Sequence, residues 1–218
     1  MRGGVAALVA LMSLALAPGA RAADVTVTSF DGTPIVAHWF PLAGLTAGQT
    51  GPTVLMGPGW GGAGDENEAP GGTIARLREA GFNVLTWDPR GFGASGGIVT
   101  VNDAAFEGRD VQVLLDFVAA QPQAQLDAPG DPRAGMAGAS YGGGIQFVTA
   151  AIDKRVDAIT PQIAWHSLGT SLYREQIVKT GWAGLLYAAS AGRQVDPHVK
   201  AAYDQGLATG RLSREDRD

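Results

Sequence analysis

The stretch RAGMAGASYGGGIQFVTAAI, residues 133–152, decides the fold. Arg133 to Ala139 reads as a short strand, and a helix runs from about Gly142 to Ile152. Between them Gly138-Ala139-Ser140-Tyr141-Gly142 matches G-x-S-x-G in the strand-to-helix setting the motif requires. A serine at such a corner sits in strained backbone. Its neighbours two positions away must lack a Cβ, which would strike the adjoining strand and helix. The hydroxyl is then held at the C-terminal edge of a sheet, near the positive end of a helix. The plain alternative is a Gly-rich turn whose serine caps the helix. Ser140 is the candidate nucleophile, and Gly138 and Gly142 are the elbow glycines.

Outward from this corner, the order of elements is that of an α/β sheet. Val25 to Phe30 and Ile35 to Phe40 read as a hairpin across Asp31-Gly32. Strands follow at Thr53–Met56 and Asn83–Trp87, with a helix at Thr73–Ala80 between them. Asp103 to Ala120 is predicted helical, with Val111, Leu114, Leu115 and Val118 on one face. Val156 to Ile163 reads as a further strand. From about Leu168 the chain holds helical segments, at Leu172–Val178, Trp182–Ala191 and Val199–Leu207, and no clear strand. The expected fold is a mostly parallel sheet after an antiparallel start.

Composition narrows the function classes. Hydrophobic residues make up 45% and charged residues 17%, so a packed core is expected. The net charge is −5 with no Lys/Arg run, which gives no footing for nucleic acid or an anionic membrane surface. With no Cys, disulfides, a thiolate nucleophile and thiolate metal sites are excluded. Arg2, the apolar run Val5–Ala17 and Ala20-Arg21-Ala22 form a signal-peptide pattern, residues 1–22, with cleavage expected after Ala22 or Ala23. The run is shorter than the roughly 20 residues that span a bilayer, so no stable membrane anchor is expected. The product would be secreted.

A second glycine-rich segment, Met56-Gly57-Pro58-Gly59-Trp60-Gly61-Gly62, follows a strand directly. Acyl transfer through a serine needs two N–H donors for the oxyanion. Tyr141, next to Ser140, supplies one, and Trp60 is the candidate for the other. An ordinary tight turn is the alternative. The third block is Trp87-Asp88-Pro89-Arg90-Gly91-Phe92-Gly93. In this order and spacing the three blocks resemble the α/β-hydrolase superfamily, and most closely the Xaa-Pro dipeptidyl-peptidase-like and acyl-esterase (cocaine-esterase-like) hydrolases. The resemblance covers about Val25 to Ile163. It implies that Asp88 and Arg90 build a loop beside the site rather than act in it. Relatives often carry His-Gly where this chain has Pro58-Gly59, and the esterases add a Tyr hydroxyl donor that this loop lacks.

The resemblance also implies a triad in the order serine, acid, histidine. After Ser140 only His166 and His198 remain, and neither follows an acid-bearing strand. His166 is a candidate pocket residue, His198 a solvated histidine at a helix start, and His38 structural. Relatives insert a helical cap after the sixth strand and then return to the sheet. Residues 24–165 therefore read as the front part of the core and 166–218 as the beginning of the cap. The triad acid and His are expected beyond residue 218, in a chain that is truncated and leaves part of its core uncovered.

Asp65-Glu66-Asn67-Glu68 reads as a solvated loop capping the next helix, and no metal or cofactor is expected. The implied function is a secreted serine hydrolase cleaving a small ester or a peptide amide. A degenerate non-catalytic hydrolase and an acyltransferase stay open beside it, and the sequence gives no oligomeric state.

Overall fold

β-Branched residues build the first hairpin of the computed structural model, which describes residues 23–42, 44–46 and 48–213. The expected signal peptide lies outside the described residues. β1 (Ala23–Thr28) turns at Asp31-Gly32 and pairs antiparallel with β2 (Pro34–Phe40). β3 (Thr53–Met56) and β4 (Asn83–Trp87) follow, at the positions the sequence predicts. Leu126–Ala128 (β5) and Asp131–Pro132 (β6) form a small ribbon that periodicity does not reveal. β7 (Ala134–Ala139) and β8 (Val156–Gln162) complete a six-stranded sheet of order β1-β2-β4-β3-β7-β8. Pairing is antiparallel from β1 through β2 to β4 and parallel across β4, β3, β7 and β8.

Helices cover both faces. α1 (Thr73–Glu79) brings Ile74 against Phe40 and Val84 on one side. α2 (Glu107–Ala119) and α3 (Tyr141–Ile152) lie on the other. There Val111, Leu114, Leu115 and Val118 pack with Trp39, Leu85 and Met136. The 3.6-residue spacing of those four positions delivers one buried stripe. β4 is buried along its whole length, as a strand covered on both faces must be. β8 is the sheet's second edge, and Ile163 beyond it is 85% exposed.

Three expectations are corrected. α2 begins at Glu107, four residues after the expected start, because the chain ahead of it wraps around the buried Glu107 carboxylate. That carboxylate accepts from the Thr100 N–H at 2.7 Å, the Thr100 hydroxyl and the Asp103 N–H at 3.1 Å. Val101 and Asn102 take positive φ to allow it. In the second case, Leu172–Val178 does not form a helix. Instead α4 spans Leu168–Leu172, capped by the Ser167 hydroxyl, and a short 3-10 turn follows at Arg174–Gln176. Positive φ at Glu175 and Gln176 breaks the helical path. The other two segments form α5 (Thr180–Ala189) and α6 (Pro197–Thr209). Finally, the acidic loop does not cap α1. The N-cap is Gly72 and makes no side-chain bond. Asp65 and Asn67 close local turns onto the N–H groups of Asn67 and Ala69, and Glu68 pairs with Arg78 near the far end of the helix.

Candidate active site

Ser140 stands between the last residue of β7 and the first of α3, with φ 55° and ψ −116°. A non-glycine residue held there costs on the order of 1–3 kcal/mol, so the surroundings must enforce it. They do so through the backbone. The Ser140 N–H donates to Gln162 O at 2.9 Å, and its C=O accepts from the Gly143 and Gly144 N–H groups, each at 2.9 Å. A Cβ on Gly138 would lie 2.7 Å from Gly57 O. One on Gly142 would lie 2.8 Å from Pro58 O and closer still to Gly57 O. The loop after β3 therefore rests directly on the corner, and only glycine permits that approach.

Neither the Trp60 N–H nor the Tyr141 N–H donates to a partner among the described residues. The side chains of both are fixed. The Trp60 ring meets Phe92 and Tyr141 edge-on, each at 5.1 Å between centroids, and its Nε1–H donates to Leu186 O of α5 at 2.7 Å. The Tyr141 hydroxyl donates to Glu107 Oε1 at 3.1 Å and accepts from the Asn102 N–H at 3.1 Å. Asn102 Nδ2 donates to the Tyr141 carbonyl at 2.9 Å. Burial, with the Glu107 charge behind it, raises the Tyr141 hydroxyl well above its ordinary pKa, so it stays a donor. Burial likewise raises Glu107 above the ordinary glutamate value.

Asp88 and Arg90 brace the next loop. The Asp88 carboxylate accepts from the Gly64 N–H at 2.8 Å and the Ala94 N–H at 2.7 Å. Arg90 grips Asp110 of α2 with two nitrogens, at 2.9 and 2.7 Å, and reaches Asp31 of the hairpin turn at 2.8 Å. That last bond holds the Asp31 carboxyl well below the usual range. Both residues are buried and turned to neighbouring backbone and carboxylates.

Above the corner, α4, α5 and α6 line an open-mouthed cavity of about 580 Å³. Ser140 lines it, with Trp60, Trp165, Trp182, Tyr187 and Leu207 among a mainly apolar wall. His166 is exposed and not part of that wall, which corrects its expected place in the pocket. His198 is exposed at the start of α6, where its N–H donates to the capping Asp196 at 2.8 Å. His38 lies on β2 against Asp24. The Ser140 hydroxyl makes no hydrogen bond with any described residue. What sequence reasoning missed is the support behind the corner, namely Asn102, Glu107 and Trp165, whose ring lies 6.5 Å from that of Tyr141. A hint was present, since Glu107 falls on the same helical stripe as Val111 and Leu114. Among the described residues no helix is long and apolar enough to cross a membrane.

The sheet order, the serine corner seated on the β3 loop and the helical cover together define an α/β-hydrolase. Residues 31–217 match the family model of the X-Pro dipeptidyl-peptidase (S15 family). The chain belongs to that family. Among curated proteins it is similar to an uncharacterized 31.7 kDa protein from the traX-finO intergenic region of Escherichia coli. The two are 38% identical over 87 residues, 40% of this chain and 29% of that protein. It is 30% identical over 137 residues to the polyketide transferase grgF of Penicillium sp., 62% of this chain and 42% of that one. The crystal structure of GrgF matches with TM-score 0.51 at 28% identity, covering 65% of this chain and 46% of that one. A CocE/NonD family hydrolase from Staphylococcus aureus shares the fold at TM-score 0.60 and 14% identity, covering 90% of this chain and 42% of that one. The chain thus spans less than half the length of each of these relatives.

Proposed function

We propose that the protein is a secreted serine hydrolase that cleaves an ester or amide through Ser140. The observation that carries this reading is the Ser140 corner itself, at φ 55°, on the wall of an apolar cavity with two unengaged N–H groups nearby. Ser140 Oγ attacks the substrate carbonyl and gives its proton to a general base. The Trp60 and Tyr141 amides receive the oxyanion. Collapse expels the protonated alcohol or amine and leaves an acyl-serine, which water hydrolyses to the acid and free serine. None of His38, His166 and His198 hydrogen-bonds to Ser140, and none of them is assigned as the base. The signal-peptide pattern of residues 1–22 supports export.

A second reading, transfer of the acyl group to an alcohol instead of water, draws on the 30% identity to a polyketide transferase. Both use the same acyl-serine and differ in the acceptor.

The test is kinetic, on protein purified from its native host. Chromogenic acyl esters and Xaa-Pro anilides are offered with and without an added alcohol. Ser140→Ala is expected to lower kcat/KM by about 10³-fold or more. An unchanged rate in that variant overturns the assignment. An acylated alcohol among the products selects the transferase reading.

A further inference from the structure

One fully buried amide side chain stands behind the serine corner without a part in the reaction above. Gln146, in the second turn of α3, is 0% exposed. Its Nε2 donates to Gly142 O at 2.7 Å and to Gly138 O at 3.2 Å, and its Oε1 accepts from the Thr160 N–H of β8 at 2.9 Å. These three bonds fix which way the amide faces. Turned over, its oxygen would meet two carbonyls and its NH2 group another donor. The two carbonyls belong to the glycines that stand two residues before and two after Ser140. Gly138 takes φ 149°, and Gly142 to Gly144 place three glycines in succession in the first turn of α3. Glycine permits the close seat of the β3 loop. By the same freedom it leaves the peptide planes on either side of the serine weakly held.

We propose that Gln146 is a positioning residue for Ser140, its amide spanning the corner and setting both flanking peptide planes, an inference that rests on Ser140 being the nucleophile. Each N–H of the one NH2 group takes one carbonyl, so the strand end and the helix start are tied to a single rigid plane. Oε1 ties that plane in turn to β8, the strand whose neighbouring Gln162 O accepts the Ser140 N–H at 2.9 Å. Gln146 thus holds the corner from the α3 side, while the β3 loop holds it through Gly57 and Pro58. Neither replacement of similar shape does this. An ionised glutamate would turn an acceptor toward two carbonyls, and methionine offers no donor. The geometry matters to rate because a shift of about 1 Å in a reacting group costs about 10²-fold. No motif announces the role, since Gln146 stands between Ile145 and Phe147 on an apolar helix and reaches Thr160 only through the fold.

Steady-state kinetics on variants made in the native host test it, with a chromogenic acyl ester as substrate. Gln146→Met, of matching size, should lower kcat about ten- to a hundredfold and leave KM within about threefold. Fluorophosphonate labelling of Ser140 should slow in proportion. Thr149→Val is the control, since Thr149 is equally buried on α3 and its hydroxyl bonds to Ile145 O of its own helix at 2.8 Å. It should lower the melting temperature and leave kcat unchanged. Gln146→Glu keeps the shape and an acceptor for Thr160, and it reads the same split if Gln146→Met fails to fold. A folded Gln146 variant with wild-type kcat overturns the proposal, as does an equal loss of kcat in Thr149→Val. Ser140→Ala separates the two claims: activity lost there but intact in the Gln146 variants overturns the positioning role alone.

Discussion

Backbone does more than side chain at Ser140. Tyr141 is assigned its role through its N–H, while its hydroxyl joins Asn102 to Glu107. Tyr141→Phe should therefore unfold more easily by about 1–3 kcal/mol, since it strands the buried Asn102 N–H and takes one of two donors from Glu107 Oε1, yet keep its kcat within about tenfold. Urea unfolding and steady-state kinetics separate the two effects. Gly142→Ala should lose activity as well as stability. Its methyl has no space against Gly57 and Pro58, so the corner must open and activity should fall with stability. Glu107 makes a pH prediction. Burial raises its pKa above the ordinary 4.5, so the folded protein holds that proton more tightly than the unfolded chain. The resulting stability is complete below the ordinary value and is lost as pH rises through the raised one. Glu107→Gln abolishes this titration, and the stability gap between wild type and variant should be wider near pH 4 than near pH 8.

Elements were legible where one residue pattern outweighed its surroundings. β3 and β4 fall where apolar runs predict them, and α2 carries its buried stripe at the expected positions. Legibility failed where distant groups decide the local path. The start of α2 is set by Thr100 and Asp103 bonding to Glu107, and the cap breaks where Glu175 and Gln176 leave helical φ. The Asp88–Arg90 loop is a tie between elements. Arg90 joins the hairpin turn at Asp31 to α2 at Asp110, with side chains 3% exposed at both Arg90 and Asp110. Removing one member of such a buried pair strands the other, so Arg90→Ala should cost about 3–5 kcal/mol, measurable by chemical denaturation. Trp60→Phe loses the bond to Leu186 O and should raise hydrogen exchange in α5 while leaving the β4 amides protected.

At the scale of the molecule, the corner could be read in sequence because its chemistry is local. Five consecutive residues between a strand and a helix define it. The cavity could not, since its wall joins Trp60, Trp165 and Trp182 from loops and helices spread over more than half the chain. His166 shows the same limit from the other side. Its position in sequence put it beside the site, and the fold leaves it in solvent outside the cavity wall. The account rests on Ser140 being an activated nucleophile. The most direct measurement is fluorophosphonate treatment of the protein from its native host, followed by mass-spectrometric mapping. The account predicts a single covalent adduct on Ser140 that disappears in Ser140→Ala. An adduct on another serine, or none at all, contradicts it.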